Sequence, residues 1–259
     1  MRALLLAAGL GTRLEKLTND LPKCLMPIGM QPLLAYWINS LRDIKVQQIL
    51  INTHHHANLV ENFIQSLNLG TFILLNNEKK LLGTAGTIRK NANFFNNETA
   101  LVIHADNWCQ CNFNAFIEFH KKNRPSQCLI TMMTFDCQFP ELSGIVDLDD
   151  EGVVMQIHEK VKGTKSILAN GAIYLLEPEV LEWIIQNPQV KDFSTEVLPH
   201  FLGRISSWHN TNILRDIGSW RGLNHAQSDP KPKLPNNVPP HIIDLMNSVL
   251  KQIRYLNYE

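Results

Sequence analysis

The sequence predicts an α/β fold, a Rossmann-like mixed, mostly parallel sheet flanked by helices, with an inserted antiparallel lobe. Short apolar runs alternate with segments of helical period over about residues 1–135. A glycine-rich turn directly follows the first of these runs. Beyond this half, two apolar runs are joined by a D-D-E-G turn, which is typical of a β-hairpin. The chain of 259 residues is long enough for one large α/β domain.

Five apolar runs predict the strands of the first half, at residues 2–7, 47–52, 71–75, 99–104 and 127–134. Between them, apolar side chains recur at helical spacing in two stripes, namely Leu33, Leu34, Trp37, Ile38 and Leu41, and Leu59, Phe63, Ile64 and Leu67. We expect both stripes to pack on the sheet as core.

In the second half, residues 144–160 (GIVDLDDEGVVMQIHEK) predict two strands of a hairpin. The run LANGAIYLL at 168–176 predicts a further strand. Antiparallel strands inserted on a parallel sheet indicate a second lobe, where ligands commonly bind.

Composition separates a main domain, residues 1–227, from a tail. The two halves of the main domain lie at about 1–135 and 136–227. In the tail, a proline-rich linker occupies 228–240 and an amphipathic helix occupies 241–259. One face of this helix is apolar, with Ile242, Leu245, Met246, Val249, Ile253 and Leu256. The stripe predicts docking on the main domain or on a second copy of the chain, as a homo-oligomer.

Charge and cysteine content narrow the class of protein. Lys plus Arg and Asp plus Glu both number 24, so no long-range field gathers nucleic acid or an anionic membrane. The apolar start is broken by Gly9 and is a poor signal peptide, and no run reaches transmembrane length. Five cysteines form an odd set, which favours reduced thiols in the cytoplasm. Cys109 and Cys111 lack the second ligand pair of a zinc site.

The turn after the first strand resembles a phosphate-binding loop but fits neither common pattern. Gly9 and Gly11 are followed by Leu14 where a dinucleotide-binding turn needs glycine. A P-loop would place its lysine next to the last glycine, whereas Lys23 lies twelve residues beyond Gly11. What remains is a turn that brings backbone N–H groups to an anion, with Arg13 and Lys23 as cations nearby.

Two aspartates suggest a magnesium site. Asp106 follows the strand at 99–104, at the carboxyl edge where such sheets bind ligands, and Asp216 precedes I-G-S in a similar context. Mg²⁺ prefers a few carboxylates together with phosphate and water. Either aspartate alone is also compatible with a turn or helix cap. His54, His55 and His56 are consecutive and cannot all bind one ion, so we interpret them as loop residues.

An ordered set of motifs resembles the sugar-1-phosphate nucleotidylyltransferases, in the short bacterial form that acts on mannose or manno-heptose 1-phosphate. The set spans residues 1 to about 227 and consists of G-L-G-T-R-L with P-K, L-G-T-A-G, H-A-D-N, S-G-I-V, H-E-K, A-N-G-A-I-Y and R-D-I-G-S. The resemblance implies transfer of a nucleoside monophosphate from a nucleoside triphosphate to a sugar 1-phosphate, with Mg²⁺ as cofactor. It also implies a nucleotide half and a sugar-binding lobe.

The resemblance also implies a role for each site residue. Catalysis falls to Arg13 at the pyrophosphate end, Lys23 at the transferred phosphate and Lys160 at the sugar phosphate. The nucleotide contacts Leu6, Ala8, Gly9, Gly11, Thr12, Gly83 and Thr84. The sugar contacts Gly144, Glu159, Asn170 and Gly171, and Asp106 and Asp216 bind the metal. Thr84 alternatively serves only as a helix cap.

The sequence departs from the family pattern at two places. Ala105 replaces the usual glycine before the first aspartate, and Val161 replaces the proline after E-K. The best substrates by resemblance are GTP with mannose or manno-heptose 1-phosphate. Alternatives are uridylyl or thymidylyl transfer to glucose or amino-sugar 1-phosphates, and a non-catalytic relative that binds nucleotide sugar. A nicotinamide-dependent dehydrogenase is disfavoured by the missing third glycine.

Overall fold

A computed structural model of the chain describes residues 1–159, 166–235 and 237–256, without the side chains of residues 15, 16 and 254–256. The strands are β1 (Arg2–Leu6), β2 (Pro27–Ile28), β3 (Gln31–Pro32), β4 (Ile49–Thr53), β5 (Ile73–Asn77), β6 (Ala100–His104), β7 (Asn107–Cys109), β8 (Ile130–Asp136), β9 (Gly144–Leu148), β10 (Val154–Glu159), β11 (Leu168–Leu176), β12 (Ile205–His209) and β13 (Leu214–Asp216). The α-helices are α1 (Leu33–Asp43), α2 (Ala57–Ser66), α3 (Thr84–Lys90), α4 (Phe113–Lys122), α5 (Pro178–Gln186), α6 (Trp220–Ser228) and α7 (Pro240–Leu256).

The main sheet is mixed and has the order β10-β9-β11-β6-β1-β4-β5, with β8 paired to β11 and β12 paired to β8. Strands β4 and β5 run parallel, and so do β8 and β12. Strand β11 is antiparallel to β6, β8 and β9. Helices flank this sheet, so the predicted class of fold is confirmed.

Two of the predicted strands begin later than their apolar runs because a turn occupies the start of the run. Strand β5 begins at Ile73 because Gly70–Phe72 form a 3-10 turn. Strand β8 begins at Ile130 because the Cys128 N–H donates to the Pro125 carbonyl and closes a turn. The hydrogen bonds of these turns set where each strand begins, although the apolar run starts earlier in the sequence.

The chain folds into two compact units. The first contains Met1–Leu4, Leu82–Ile103 and Cys109–Leu214. The second contains Leu5–Leu81, His104–Trp108 and Arg215–Glu259. In the first unit, the core includes fully buried side chains of β8 and β11, among them Ile130, Met132, Ile173 and Leu175. In the second, the core includes β4 and the predicted stripe of α1, with Ile49, Ile51, Leu34, Trp37 and Leu41.

The predicted hairpin forms in the first unit. Strands β9 and β10 are antiparallel, and Gly152 in their turn has φ of 76°, a conformation that favours glycine. Strand β11 follows, and its pairing with β8 shifts register between Asn170 and Tyr174. Ala172 within this bulge has φ of 53°. The bulge therefore reorients the part of β11 that carries the A-N-G-A motif.

The tail helix packs within the second unit. Its predicted apolar side chains Ile242, Met246, Val249 and Ile253 are buried. Leu245 is half-buried, and the side chain of Leu256 lies outside the description. The four buried positions of the stripe are thus covered by residues of the same chain. Among the described residues, no helix is both long and apolar enough to cross a bilayer.

Candidate active site

Two ion pairs in the second unit join four of the predicted site residues. Lys23 Nζ lies 3.1 Å from Asp106 Oδ2, and Arg13 Nη1 lies 2.9 Å from Asp216 Oδ2. The two cations come from short 3-10 turns after β1, which begin at Thr12 and Lys23. The first pair is the more buried, because the Lys23 side chain is 12% exposed and the Arg13 side chain is 50% exposed.

The two aspartates are held side by side by the backbone. Asp106 follows β6, Asp216 ends β13, and β7 pairs with β13. The N–H of Ile217 donates to the carbonyl oxygen of Asp106 at 3.2 Å. The sequence places these residues 110 positions apart by number, so only the pairing of the two short strands brings them together.

Gly218 marks the point where the four charged side chains meet. Its N–H donates to Asp216 Oδ1 at 2.6 Å. A Cβ atom at this position would lie 2.7 Å from Arg13 Nη2 and 2.9 Å from Lys23 Nζ. With glycine at this position, both cations approach the backbone beside Asp216, whereas a Cβ would displace their charged ends. The sequence analysis did not select Gly218, although it lies within the R-D-I-G-S motif.

Electrostatics keep Asp106 ionised. Burial by itself raises the pKa of its carboxyl group, but the charges of Lys23, His104 and Arg13 and the hydrogen bond from Lys23 outweigh burial. The pKa of Asp106 is consequently lowered below its ordinary value. The carboxylate is thus anionic over the whole physiological range.

The glycine-rich turn is compact at one end and open at the other. Gly11 has φ of 76°, and a Cβ there would lie 2.6 Å from Thr18 Cγ2 and 3.2 Å from Lys23 Cγ. A Cβ at Gly9 would meet nothing within 4 Å, so the backbone there is open to a ligand. The remaining predicted nucleotide contacts of this turn are Leu6 at the end of β1, Ala8, which is buried, and Thr12, which is exposed.

A buried polar pair that sequence reasoning missed supports this turn. The N–H of Ala7 donates to Asn52 Oδ1 at 2.8 Å, and Asn52 Nδ2 donates to Glu78 Oε1 at 3.0 Å. Asn52 and Glu78 are each only 2% exposed. An asparagine within the apolar strand ILINT is the signal that could have identified it, since a buried amide needs partners.

The histidine run has a structural role as well. His55 Nε2 donates to the Thr18 carbonyl at 3.1 Å, and His56 Nε2 donates to the Asn19 carbonyl at 2.7 Å. His54 Nδ1 donates to the Glu78 carbonyl at 2.7 Å. The three histidines therefore point to different carbonyls, and two of them hold the segment that follows Arg13.

In the first unit, the structure pairs Gly144 with Glu159 across the hairpin. A Cβ at Gly144 would lie 2.9 Å from Glu159 Oε1, so the carboxylate folds over the glycine backbone. Both residues belong to the predicted sugar contacts. Lys160, predicted to pair with the sugar phosphate, lies outside the described residues.

Asn170 and Gly171 lie in the bulge of β11. Asn170 Oδ1 accepts hydrogen bonds from the Ala172 N–H and from the Tyr174 hydroxyl, both at 2.9 Å. Its Nδ2 makes no hydrogen bond among the described residues and is the group that can donate to a ligand. A Cβ at Gly171 would lie 2.8 Å from the Met133 carbonyl oxygen, so only glycine fits there.

Gly83 and Thr84 begin α3 against a neighbouring segment. Gly83 has φ of 75°, and a Cβ there would overlap the Lys191 carbonyl oxygen. Thr84 Oγ1 accepts a hydrogen bond from the Phe193 N–H at 2.6 Å. The helix N-terminus is capped by the Lys191 carbonyl, which accepts from the Ala85 N–H at 2.9 Å. Thr84 is therefore a tether to another segment, and the alternative that it serves only as a helix cap does not hold.

The donor set around the two aspartates fits Mg²⁺ better than a softer metal. Among the described residues, no group of three or more His, Cys, Asp or Glu side chains is arranged to hold a metal ion. Two carboxylates on neighbouring strand ends leave most of a coordination shell to other oxygens. Mg²⁺ accepts this arrangement when phosphates and water complete the shell.

The comparison with sequence families assigns the class. Residues 2–231 match the sequence model of the nucleotidyl transferase family. This match covers most of the chain, and the chain belongs to that family.

Two individual enzymes are similar to this chain over most of its length. The chain is 30% identical over 180 residues to the D-glycero-α-D-manno-heptose 1-phosphate guanylyltransferase of Campylobacter jejuni, covering 70% of this chain and 77% of the relative. It is 29% identical over 213 residues to the UTP–glucose-1-phosphate uridylyltransferase of Synechocystis, covering 77% of this chain but only 54% of the relative. The chain thus spans about half the length of the latter enzyme.

A solved structure supports the fold. The crystal structure of HddC from Yersinia pseudotuberculosis, complexed with GMP-PN, matches with a TM-score of 0.74 and 24% identity. The match covers 87% of this chain and 97% of HddC. Over that part of the chain, the fold therefore follows that of HddC.

Proposed function

We propose that this chain transfers a nucleoside monophosphate from a nucleoside triphosphate to a sugar 1-phosphate and releases pyrophosphate. The observation that carries the proposal is the cluster in which Arg13 and Lys23 face Asp106 and Asp216 around Gly218. Two cations for phosphate oxygens and two carboxylates for a divalent ion are the charges that phosphoryl transfer requires. Membership of the nucleotidyl transferase family supports the same reaction.

The nucleophile needs no general base. The second pKa of a phosphate monoester is about 6, so the sugar phosphate already carries an anionic oxygen at neutral pH. This oxygen attacks the α-phosphorus in line and forms the new P–O bond. The bond from the α-phosphorus to the bridging oxygen breaks, and its electron pair leaves with pyrophosphate. The protein therefore has to position charges rather than move a proton.

We assign these charges to Arg13 and Lys23 of the cluster and to Lys160. Lys23 binds the phosphate that is transferred, Arg13 binds the pyrophosphate end, and Lys160 binds the sugar phosphate. Lysine suits a single point charge and arginine suits a forked grip on phosphate oxygens. To do so, Lys23 and Arg13 exchange their carboxylate partners for phosphate oxygens, which leaves Asp106 and Asp216 to hold Mg²⁺. When bound, the ion supplies neutralisation of the phosphate charge.

The remaining predicted contacts bind the neutral parts of the substrates. We assign Glu159 and the Asn170 amide to sugar hydroxyls, and the backbone at Gly144 and Gly171 to close approach of the sugar. The open backbone at Gly9 supports a role along the nucleotide, together with Leu6, Ala8, Gly11, Thr12, Gly83 and Thr84.

We infer that GTP and mannose or manno-heptose 1-phosphate are the preferred substrates. The Campylobacter relative is named for guanylyl transfer to a manno-heptose phosphate, and HddC was solved with GMP-PN. The Synechocystis relative keeps uridylyl transfer to glucose 1-phosphate as the alternative. A relative that binds nucleotide sugar without turnover is a second alternative, which the complete set of four charges disfavours.

The experiment measures pyrophosphate release by the purified full chain with Mg²⁺, across five nucleoside triphosphates and a panel of hexose and heptose 1-phosphates. We expect the highest kcat/KM for GTP with a manno-configured sugar 1-phosphate. Asp216→Asn, for which we expect turnover about 10²-fold lower or less, is the low-activity reference, and Glu118→Gln, in an exposed pair with Lys122, is the matched control. A preference for UTP or dTTP with glucose 1-phosphate would refute the substrate choice, and no turnover with any pair would refute the reaction.

We also propose a cytoplasmic setting, which the five free cysteines support. A homo-oligomer through α7 would have to use the surface outside its buried stripe, since Ile242 and Met246 are already covered within the chain.

A further inference from the structure

A buried carboxylate outside the predicted site binds the strand that ends in Asp216. Asp229, the residue after α6, is 8% exposed. Its Oδ2 accepts from Arg215 Nε at 2.6 Å, and its Oδ1 accepts from Arg215 Nη2 at 2.7 Å. This is the two-pronged geometry in which an arginine–carboxylate pair is strongest and most directional.

The same carboxylate also binds the strand that follows Asp106. Trp108 Nε1 donates to Asp229 Oδ2 at 3.0 Å, and Trp108 is 1% exposed. Trp108 is two residues beyond Asp106, and Arg215 directly precedes Asp216. One carboxylate therefore fixes the neighbours of both aspartates, on the two short strands that pair with each other.

Asp229 is itself held in place. Lys231 Nζ donates to the Asp229 carbonyl at 2.6 Å and to the Gln227 carbonyl at 2.7 Å. The Gln227 side chain donates to the Pro27 carbonyl at 2.7 Å and accepts from the Gly29 N–H at 3.0 Å. The start of the proline-rich segment is thus anchored to the β2–β3 hairpin, a few residues after Lys23.

We propose that Asp229 is a positioning residue for the divalent metal site, acting through Arg215 and Trp108. The inference rests on the proposed function, in which Asp106 and Asp216 hold the ion. Asp229 sets the relative position of the two strand ends, and it fixes the Arg215 side chain directly before Asp216. A residue that supports metal ligands in this way typically contributes about 10-fold or more to metal affinity.

The test measures Mn²⁺ binding to the full chain in a fixed, saturating concentration of GTP, by electron paramagnetic resonance of the free ion with the same GTP solution without protein as reference, alongside thermal unfolding. Asp229→Asn keeps the shape of the side chain and removes its charge. Arg215→Lys keeps the cation but removes the fork, and serves if Asp229→Asn fails to fold. The control is Glu177→Gln in the first unit, where Glu177 accepts from Arg124 at 3.0 Å and from His120 at 2.7 Å.

We expect Asp229→Asn and Arg215→Lys to bind Mn²⁺ about 10-fold more weakly than the wild type. Glu177→Gln should lose thermal stability while keeping wild-type Mn²⁺ affinity, which separates positioning from general destabilisation. The Mg²⁺ concentration for half-maximal turnover should rise in parallel with the Mn²⁺ dissociation constant.

Two results would overturn the inference in different ways. If Asp106→Asn weakens Mn²⁺ binding while Asp229→Asn and Arg215→Lys retain wild-type affinity, Asp229 does not position the site and the proposed metal site stands. If Asp106→Asn binds Mn²⁺ as the wild type does, the metal site itself is misassigned and Asp229 has nothing to position.

Discussion

Lys23 Nζ lies 3.1 Å from Asp106 Oδ2, so a cation predicted to bind phosphate neutralises a carboxylate predicted to bind a metal ion. Arg13 and Asp216 repeat the relationship at 2.9 Å. Each of these four charges thus has an opposite partner, so none of the four is left uncompensated while substrates are absent. In the proposed function, phosphate and a divalent ion arriving together would replace both partners at once, which favours joint binding of the two.

The first prediction concerns the electrostatics of this pair. Lys23→Met should raise the pKa of Asp106, because burial then acts with less opposition from positive charge. Titration of the Asp106 side-chain carbon by NMR measures the change. Lys122→Met removes an exposed lysine from the first unit and should leave the titration unaltered. An unchanged Asp106 midpoint in Lys23→Met would show that the ion pair does not control its ionisation.

The sequence predicted these four charges because each follows a local signal, either a glycine-rich turn or a strand end. It did not predict their partners. Arg13 and Asp216 are 203 positions apart, and nothing in either local pattern indicates that they pair. Asp229 was missed for the same reason, since it lies at the start of a segment whose composition indicated only a linker.

The fold was likewise predictable only where a local sequence pattern specifies an element. The stripe of α1 and the D-D-E-G hairpin specify their own structure, because period and turn chemistry are local properties. The bulge of β11 is different, since it depends on the close approach of Gly171 to the Met133 carbonyl on another strand. Contacts between distant segments set such features, and a single sequence does not display them.

The second prediction concerns Gly218. Gly218→Ala should fold, yet lower turnover by about 10²-fold, since a small misplacement of reacting groups has that effect. The added Cβ would meet Arg13 Nη2 and Lys23 Nζ at 2.7 and 2.9 Å and push both cations aside. Steady-state pyrophosphate release measures the loss. Gly203→Ala, where a Cβ meets nothing within 4 Å, should keep normal turnover despite its φ of 77°. Equal activity of both variants would remove Gly218 from the site.

The third prediction concerns the tail helix. Met246 is 1% exposed, so Met246→Ala should lower the free energy of unfolding by about 2–5 kcal/mol. Ser248→Ala, on the exposed side of the same helix, should change it by less than about 0.5 kcal/mol. Urea denaturation measures both values. If Met246→Ala matches Ser248→Ala, the helix does not contribute its apolar face to the folded core.

The fourth prediction concerns acid stability. His120 is 2% exposed, and burial, aided by the charge of Arg124, lowers its pKa to about 4 although Glu177 opposes the shift. Its Nδ1 lies 2.7 Å from the Thr131 hydroxyl and its Nε2 lies 2.7 Å from Glu177 Oε1. The unfolded chain binds this proton near pH 6.5, so stability contributed by neutral His120 is complete above that pH and is lost as pH falls toward 4.

The size of this effect is bounded by the shift, at about 3 kcal/mol between pH 6.5 and 4. Free energies of unfolding measured across this range for the wild type and for His120→Gln test it, and the wild type should show the steeper decline. NMR titration of the His120 ring should show no protonation at pH 6. A ring that titrates near 6.5 in the folded protein would contradict the prediction.

The last prediction concerns the two carboxylates together. Asp106→Asn and Asp216→Asn keep the size of the side chain and remove one anionic ligand each, so folding should survive. Turnover should fall by about 10²-fold or more in each, because losing one preorganised electrostatic contact at a reacting centre costs about 3–4 kcal/mol. The double variant should be little worse than either single one, since both carboxylates serve one ion and such losses are not additive. EDTA should reproduce the loss in the wild type, and Mg²⁺ or Mn²⁺ should restore the wild type fully but not the variants. Normal turnover of a folded variant at limiting Mg²⁺ would remove that residue from the metal site, and full activity in EDTA would remove the site altogether.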